Sequence, residues 1–539
     1  MYQKCFSRFF NLFLCFLLLF VFSVAMSVDD AFATPKRKLK GNMEEVYNKL
    51  PEEATNWKEI FTKGMFYGRF RINSFKWDYA EHHQSGKTNR NYDPWGFAVG
   101  GSLILKSAPF YGVSATLGYY YSNSLGVLNN RDAVYGKSGK DTFSRHDAVD
   151  DDNWYMSVLA QAYIEFDYMK TFLKTDVKAG RMIYNDSPFI KSNDTKMIPN
   201  TMQGFAFKNK LIPQTTLHFA WFDKQKLRDH TRFHDVITFG SPDTSKVKTV
   251  HGKTAKYYQW EQNDDSAVHK GLTPQNLRAN HKKIHNSLLI AGMTNKSIKN
   301  LKLDFWFNSV PGLFHTILTE ANYKIDLGGG WSVTPGFRYM HQFDVGAGKV
   351  GGAGLTGKLA GHKGYYKGYH DADDADATLF GVRLVFKKGA GKLHFGYTKV
   401  TDDGDFISPW RGWPTKGYTR SMAQYNWEAN TKSFMIKGVY DFDKAKIISG
   451  LKVALDYAYM DYDKTKERLG GINKTDRDII HMDVIYGFPH LKKLLPSYME
   501  GLEGKFRVAF VDAERRHNPS ANRYDPSYNE FRWELNYLF

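Results

Sequence analysis

The sequence predicts an all-β fold, a transmembrane antiparallel β-barrel of eighteen strands with short periplasmic turns and long external loops. The clearest observation lies at the end of the chain, where two sets of side chains alternate. One set is Phe531, Trp533, Leu535, Tyr537 and Phe539, and the other is Glu530, Arg532, Glu534, Asn536 and Leu538. Alternate residues of a strand point to opposite faces, so one face suits lipid and the other a watery lumen. An edge strand of a soluble sandwich is the alternative that this segment leaves open.

The same two-residue alternation recurs along the chain and predicts the remaining strands. In the first of them, Phe66, Phe70 and Ile72 lie on one face, and Arg69 and Arg71 lie on the other. Eighteen such segments are predicted, and each boundary is expected to hold to about 2–4 residues. They begin near residues 65, 95, 113, 154, 173, 202, 215, 286, 301, 314, 331, 378, 392, 432, 451, 477, 505 and 529.

Short and long connections alternate between these segments. The short ones include 167–171, 210–213, 326–330 and 388–391, and the long ones include 122–153, 228–285, 345–377 and 402–431. Outer-membrane barrels sort their connections in this way, with short periplasmic turns and long external loops. A soluble sandwich has no reason to do so. The ordering therefore favours a barrel with an even number of strands and both termini in the periplasm. The 228–285 loop is expected to be exposed.

The start of the chain has the pattern of a secretory signal peptide. Lys4 and Arg8 precede an apolar run over residues 9–22, and Ala31 and Ala33 form a small-residue cleavage pattern. We expect export with cleavage directly after Ala33. The apolar run is short for a membrane-spanning helix, although an uncleaved anchor remains the alternative.

Three regions follow from this division: a signal peptide over residues 1–33, a periplasmic lead-in with a short helix over 34–62, and one barrel domain over 63–539. Both cysteines, Cys5 and Cys15, lie in the first region, so the exported chain has none. It therefore needs no oxidative folding in the periplasm. The lead-in has few apolar positions and four glutamates, Glu44, Glu45, Glu52 and Glu53.

The composition agrees with a barrel wall. Removal of residues 1–33 from the 539 leaves 506, which is long for one ordinary soluble core. Aromatic residues make up 16% of the chain although the mean hydropathy is only −0.50. Many aromatics without a long apolar run are typical of alternating strands with interfacial girdles. The net charge of +18 points to anionic solutes or lipopolysaccharide, because export makes a nucleic acid an improbable partner.

Several motifs resemble the OprD family of porins over residue 60 to the end. The most specific is Asn193–Asn200, which is similar to part of that family's third loop. The others are Gly180-Arg181, Ser187–Phe189, Gly204, Trp410–Pro414, Gly417–Arg420 and Tyr440–Phe442. This chain has Lys196 where the family often has arginine. The resemblance implies an eighteen-stranded channel for small solutes, often amino acids or carboxylates, with an inward-folded third loop and a basic ladder.

The C-terminal strand carries a second resemblance. Trp533, Tyr537 and Phe539 are similar to the sorting strand of bacterial outer-membrane proteins, which typically ends in Phe. This likeness implies delivery by the barrel-assembly machinery to the outer membrane of a Gram-negative cell. The expected surroundings are outer-membrane lipid and lipopolysaccharide. Association into homotrimers is left open, because aromatic faces permit it without requiring it.

The two-residue alternation also assigns six arginines to the polar face of the strands. These predicted ladder residues are Arg69, Arg71, Arg338, Arg383, Arg507 and Arg532. Closure makes the first, seventeenth and eighteenth strands neighbours, so four of the six are expected to share one basic patch. Guanidinium groups stay charged and match carboxylates, so a stack of them can pass an anion from site to site. The alternative is that each arginine pairs with a lumen acid, such as Glu530, Glu534, Asp456 or Asp483.

Two loops are expected to narrow the pore. The first spans residues 184–201, and its candidate residues are Asp186, Ser187, Asn193, Asp194 and Lys196. Pro188 and Pro199 stiffen it, and a stiff polar constriction selects solutes by size and replaces their hydration. The second has the candidates Asp402, Asp403, Asp405, Arg411 and Arg420. Its acids would face the arginines and hold an ammonium group. The alternatives are an ordinary surface loop and a solvated turn.

The function these patterns favour is passive, partly selective diffusion of small hydrophilic solutes, without catalytic residues, cofactor or metal. His281 and His285 have the spacing of metal ligands but no third ligand nearby. Three alternatives stay open: a general diffusion porin, an outer-membrane enzyme such as a lipase barrel, and an adhesive barrel with surface-binding loops. The 228–285 loop is the main argument for the last.

Overall fold

The computed structural model describes residues 37–39, 44–47, 51–80, 93–136, 142–145, 147–148, 152–238, 268–357, 368–422, 424–468, 472–488, 501–518 and 521–539. The predicted signal peptide and the cleavage residues Ala31 and Ala33 lie outside these ranges. None of the helices within them is both long and apolar enough to cross a membrane.

Eighteen antiparallel strands form one closed barrel. In chain order, β1 to β18 are Met65–Tyr79, Trp95–Lys106, Val113–Asn123, Tyr155–Tyr168, Thr175–Met182, Thr201–Asn209, Thr215–Lys226, Leu288–Asn295, Leu301–Val310, Phe314–Tyr323, Trp331–Asp344, Ala377–Lys388, Gly391–Val400, Lys432–Asp441, Leu451–Asp461, Arg477–Tyr486, Leu502–Ala513 and Tyr528–Leu538. Each strand pairs with its neighbours in sequence, and β18 pairs with β1, so no edge is left open. The predicted first residues differ from the observed ones by at most three positions.

Short helices and strands lie in the connections between the barrel strands and before β1. Helices within the described ranges include Glu59–Thr62, Asn130–Tyr135, Pro274–Ala279 and Ala347–Gly351. Short strands pair Arg37–Leu39 with Glu45–Tyr47, Glu467–Arg468 with Ile472–Asn473, and Arg516–Asn518 with Ala521–Tyr524. His234–Asp235 adds to β7, and Ile325–Gly328 adds to β11. The helix predicted for the lead-in is therefore present.

The two faces of the barrel have the predicted chemistry. On the outside, exposed aromatic and aliphatic side chains recur along the strands, among them Phe70, Phe337, Leu455 and Trp533. On the inside, β18 places Glu530, Arg532, Glu534 and Asn536, all of them buried. The chain end closes the wall, because the Phe539 amide and carbonyl both bond to Gly68 at 3.1 and 3.0 Å. Tyr537 is buried rather than exposed and stacks on Phe539.

Short and long connections alternate as predicted, with two exceptions. The periplasmic connection between β16 and β17, 487–501, is as long as the external connection between β1 and β2, 80–94. The connection between β9 and β10 is only 311–313, although it lies at the end that carries the long loops. The long loops turn inward and cover one another. In the 227–287 loop, which was expected to be exposed, Val236, Ile237, Leu272 and Leu277 are buried in the largest apolar cluster of the described chain. The predicted exposure of the 228–285 loop is therefore wrong for these buried parts, whereas Arg278, His281 and His285 of the same loop are exposed.

Candidate functional site

The loop over residues 183–200, here called the constriction loop, is fastened to the wall through Asp194. Arg71 Nη1 donates to Asp194 Oδ1 at 2.9 Å, and Arg71 Nη2 donates to the Asp194 carbonyl at 3.0 Å. Arg69 also pairs with the Asp194 carboxylate, and Arg71 Nη2 donates to Glu534 Oε2 at 2.9 Å. The side chains of both arginines and Asp194 are at most 4% exposed. These two predicted ladder arginines therefore hold a loop in place.

The neighbouring Lys196 is buried under the same loop. Its ammonium lies 3.5 Å from the centroid of the Phe75 ring and 5.6 Å from that of Trp77. Such contacts stabilise a cation that has left water. The Lys196 backbone carbonyl accepts a hydrogen bond from Asn73 Nδ2, so both the side chain and the backbone of Lys196 contact β1. Lys196 therefore anchors the loop against the wall.

The other predicted residues of the constriction loop, Asp186, Ser187 and Asn193, do not join the ion pairs around Asp194. Asp186 is partly exposed and lies 3.5 Å from Lys208. The Ser187 hydroxyl accepts from the Ile190 amide at 3.2 Å, which shapes the turn. Asn193 has a positive φ of 44°, a conformation that asparagine tolerates better than most residues.

Two more ladder arginines hold the loop over residues 401–431, here called the second pore loop. Glu320 accepts from Arg338 Nε at 2.8 Å and from Arg383 Nη2 at 2.9 Å. Arg338 Nη1 then donates to the carbonyls of Pro414 and Lys416, and Arg383 Nη1 donates to that of Gly417. The Tyr418 ring lies between the two guanidinium groups, 4.5 and 4.6 Å from their central carbons. One carboxylate thus positions both arginines against this loop.

The last two ladder arginines also have acid partners. Arg507 binds Asp483 through two bonds of 2.7 and 2.8 Å, and Arg532 Nε donates to Glu530 at 2.6 Å. The network continues from Asp483 through His481 to Asp456, which Lys437 contacts at 2.9 Å. Acids therefore lie within the predicted basic patch on β1, β17 and β18, and the alternative that each arginine pairs with a lumen acid describes Arg507 and Arg532. Asp483 faces Arg507 across β16 and β17, and Glu530 lies two positions before Arg532 on β18. Each acid offsets the high cost of burying an unpaired guanidinium.

The acids of the second pore loop do not face the arginines. Asp402 is exposed and pairs with Lys466, and Asp403 is exposed and accepts from the Thr401 hydroxyl. Asp405 is buried and accepts from the amides of Leu355 and Ala429, both at 2.8 Å. The prediction that these acids hold an ammonium group in the pore is therefore wrong. The amides that hold Asp405 come from two loops, Ala429 in the second pore loop and Leu355 in the connection between β11 and β12.

The two predicted arginines of this loop have different surroundings. Arg411 is buried and lies 3.9 Å from Asp229, with a bridge between its backbone and Ile190 of the constriction loop. Gly412 follows, and a Cβ there would lie 2.2 Å from Phe189 backbone atoms, so the close approach of the two loops requires glycine. Arg420 stacks over Trp413 at 4.6 Å.

Cavities remain in the lumen beside these loops, and two of them are defined by lining residues within the described ranges. The larger, here called the lower cavity, has a volume of about 910 Å³ and is lined mainly by the periplasmic halves of β9 to β16. The smaller, here called the upper cavity, has about 300 Å³ and is lined by Asp186, Ser187 and Arg338 among others. Four residues line both and so mark the boundary between them: Lys302, Glu320, Trp413 and Lys416.

The lower cavity is strongly basic. Among the described residues that line it are ten lysines or arginines and three acids, Glu320, Asp456 and Asp483. The ten are Arg228, Lys302, Arg383, Lys387, Lys392, Lys416, Arg420, Lys437, Arg507 and Arg532. Within the described ranges, no carboxylate lies within ion-pair distance of Lys387, Lys392, Lys416 or Arg420. The lumen charge that is not neutralised therefore comes mainly from lysines.

Sequence reasoning missed these lysines, although a signal for two of them was present. The alternation that placed Arg383 inward also places Lys387 inward, four positions further along β12. Lys392 faces Lys387 directly across β12 and β13. Lys416 lies in a loop without periodicity, so no local pattern predicted it.

An apolar outer band, a closed strand order and charged cavities inside define a channel of the outer-membrane porin class. Among the described residues, no three His, Cys, Asp or Glu side chains are grouped to hold a metal ion.

Comparison with known families agrees with this class. The model of the outer membrane porin, OprD family, matches residues 132–486. The chain therefore belongs to the OprD family, and it is an outer-membrane channel for small solutes. No curated protein sequence matches it.

Solved structures with the same fold include three porins. OccK9 (OpdG) of Pseudomonas aeruginosa has a TM-score of 0.60 at 15% identity, covering 89% of this chain and 99% of its own. OccAB3 of Acinetobacter baumannii has a TM-score of 0.58 at 16% identity, covering 88% and 99%. OccK2 (OpdF) of Pseudomonas aeruginosa, solved in complex with glucuronate, has a TM-score of 0.58 at 13% identity, covering 88% and 98%. At these identities the likeness establishes the fold.

Proposed function

We propose that this porin passes small anions and carboxylate-bearing solutes in preference to cations. The observation that carries the proposal is the lower cavity, with ten basic and three acidic side chains among its described lining residues. A cavity of one sign with low-dielectric walls focuses the field and raises the local concentration of the opposite ion. The predicted ladder of arginines stays part of the proposal, with the lysines added to it.

The arginines and the lysines have separate tasks in this proposal. Arg338 and Arg383 share Glu320 and bind loop carbonyls, so much of their hydrogen-bonding capacity is used in shaping the constriction. Lys387 and Lys392 are exposed to the lumen and can attract an anion without giving up a partner. A solute binds weakly to such flexible ammonium groups and can leave again, as conduction requires.

The path we propose runs from the upper cavity past Lys416 into the lower cavity. Lys416 and Trp413 lie at the boundary and present a cation beside an aromatic surface. The neighbour OccK2 was solved with glucuronate, a carboxylate, which agrees with this solute class. The relevant measurement is the reversal potential of the purified channel in a planar bilayer under a salt gradient. A potential of the sign expected for anions supports the proposal, and strong cation selectivity would overturn it.

Neutralising the lysine pair should weaken this preference. In Lys387→Gln/Lys392→Gln, the lower cavity loses two of its ten basic groups, so we expect the reversal potential to move toward zero. The shift should be largest at low ionic strength, where exposed charges are least screened. Lys399→Gln is the matched control, because Lys399 lies on the same strand, β13, and faces outward. Equal potentials for both variants would contradict the role of the pair.

The selectivity should also depend on pH through Lys416. Burial, together with Lys191, Arg420 and Arg338, lowers the pKa of Lys416 to about 7. The side chain is charged below that pH and neutral above it, so anion preference should decline between about pH 6 and pH 8. Reversal potentials measured across this range test the expectation. The reversal potential of Lys416→Gln should change less over the same pH range, although the variant keeps all its histidines. If the variant and the wild type have the same pH profile, the assignment to Lys416 is refuted.

A further inference from the structure

Four arginines that line the lower cavity, here called the arginine cluster, come from separate parts of the chain. Two belong to the wall and two to loops: Arg507 of β17, Arg532 of β18, Arg228 directly after β7 and Arg420 of the second pore loop. The constriction loop holds Arg228 in place, because Arg228 Nη1 donates to Thr195 Oγ1 at 2.9 Å. The closed barrel and its inward loops therefore bring these guanidinium groups to one cavity.

The two wall arginines are like charges in facing positions. Arg507 and Arg532 lie directly opposite each other across β17 and β18. Like charges in such positions repel each other and destabilise the sheet. Each arginine has one acid that offsets part of this repulsion, Asp483 for Arg507 and Glu530 for Arg532. These two acids leave the charges of the loop arginines to be neutralised by other groups.

The two loop arginines lie in a positive field. Burial and repulsion from Arg411 lower the pKa of Arg228 to about 9, although Asp229 opposes this effect. Asp229 also lies 3.9 Å from Arg411, so one carboxylate serves two guanidinium groups. Burial and repulsion from the other three members of the cluster lower the pKa of Arg420 to about 10, and no carboxylate in the described part of the chain lies within ion-pair distance of it. Both side chains are charged at neutral pH, so the cluster retains excess positive charge.

Several N–H groups of the cluster also have no acceptor among the described residues. Arg507 binds Asp483, and Arg532 binds Glu530, in each case through Nε and Nη2, which leaves the Nη1 group of each arginine. Arg420 Nε is buried without a hydrogen-bond partner in the same ranges, while its guanidinium stacks over Trp413 at 4.6 Å. A buried donor without an acceptor is costly, so these groups suit a ligand that brings several oxygen atoms.

We propose that the arginine cluster binds a doubly charged phosphate group, either inorganic phosphate or the terminal group of a small phosphate monoester. The proposal rests on the proposed function and names a solute class for it. A phosphate group brings three strong acceptor oxygens and up to two negative charges, and it matches the forked donors of guanidinium. It can accept from Arg420 and from the Nη1 groups of Arg507 and Arg532 together. A single carboxylate brings one charge and two oxygens, so it satisfies fewer of these donors.

Block of the potassium chloride current by phosphate tests this site. The purified channel is recorded in a planar bilayer at constant ionic strength and at about pH 8, where a phosphate monoester carries two charges. Inorganic phosphate and glycerol phosphate, added separately, should each interrupt the unitary current, whereas acetate should need a concentration about ten-fold higher. Block by both phosphates identifies the phosphate group as the ligand, and block by inorganic phosphate alone identifies the free ion.

Arg420→Gln should weaken the block. We expect the half-blocking concentration of phosphate to rise about ten-fold, the effect of one lost hydrogen bond to a charged group. Arg278→Gln is the matched control and should behave as the wild type. Arg278 is exposed on the helix Pro274–Ala279 and is not among the described residues that line the lower cavity.

Heat-modified migration on gels, which separates folded from unfolded barrels, shows that each variant has folded. If Arg420→Gln does not fold, Arg420→Lys takes its place, because lysine keeps the charge but lacks the planar fork, and it should also weaken the block. Equal block of the wild type by acetate and by phosphate would overturn the site. So would equal half-blocking concentrations for the Arg420 variant and Arg278→Gln. The anion preference is judged from the reversal potential in potassium chloride without phosphate, so the failure of the site and the failure of the proposed function are distinguishable.

Discussion

Asp194→Asn is expected to release the constriction loop and to destabilise the barrel. Asp194 pairs with both Arg69 and Arg71, and the three side chains are at most 4% exposed. An asparagine leaves two buried guanidinium groups without this carboxylate, and breaking a buried pair in this way costs about 3–5 kcal/mol. We expect a lower unfolding temperature and a larger, noisier single-channel conductance. Thermal gel-shift assays and bilayer recording measure the two effects.

Asp186→Asn is the matched control for that experiment. Asp186 lies in the same loop, but its side chain is 42% exposed and its contact with Lys208 is 3.5 Å long. Exposed pairs contribute about 0–1 kcal/mol, so stability should change little. If both variants unfold at the wild-type temperature, Asp194 does not hold the loop as the geometry indicates.

Glu320→Gln should have the second largest effect, on both stability and selectivity. Its carboxylate holds Arg338 and Arg383, which in turn hold the second pore loop through the carbonyls of Pro414, Lys416 and Gly417. Loss of the charge costs about 3 kcal/mol, because both guanidinium groups are largely buried. It also removes one of the three acids that line the lower cavity. We therefore expect a lower unfolding temperature together with a stronger anion preference.

Asp326→Asn provides the control for Glu320. Asp326 lies in the periplasmic turn between β10 and β11, 64% exposed and paired with Lys324. The variant changes the net charge by the same amount outside the lumen, so its reversal potential should stay at the wild-type value. A Glu320 variant with unchanged selectivity and stability would show that Arg338 and Arg383 do not need this carboxylate.

The observed positions and partners of the predicted residues show that a strand pattern predicts which face a side chain lies on, but not every partner it contacts. The inward position of Arg71 follows from its parity on β1, and the structure agrees. Glu534, on the adjacent β18, is among the acids that the sequence offers as alternative partners, and it does bind Arg71. The second partner does not follow, because Asp194 lies 123 positions away in a loop. Asp405 is a different case. Its position in a polar loop predicted a carboxylate that faces the pore, but the carboxylate is buried and accepts hydrogen bonds from backbone amides.

The local sequence was enough for the strand starts, the charged inner face and the barrel class, because a two-residue period depends on neighbouring residues alone. The family resemblance added an inward third loop. The contact of Arg69 and Arg71 with Asp194 and the burial of Val236 and Leu272 in a long loop required the folded chain. These features depend on contacts between segments that are distant in sequence and adjacent only in the closed barrel. A buried charged side chain pairs with an opposite charge that the closed barrel places nearby.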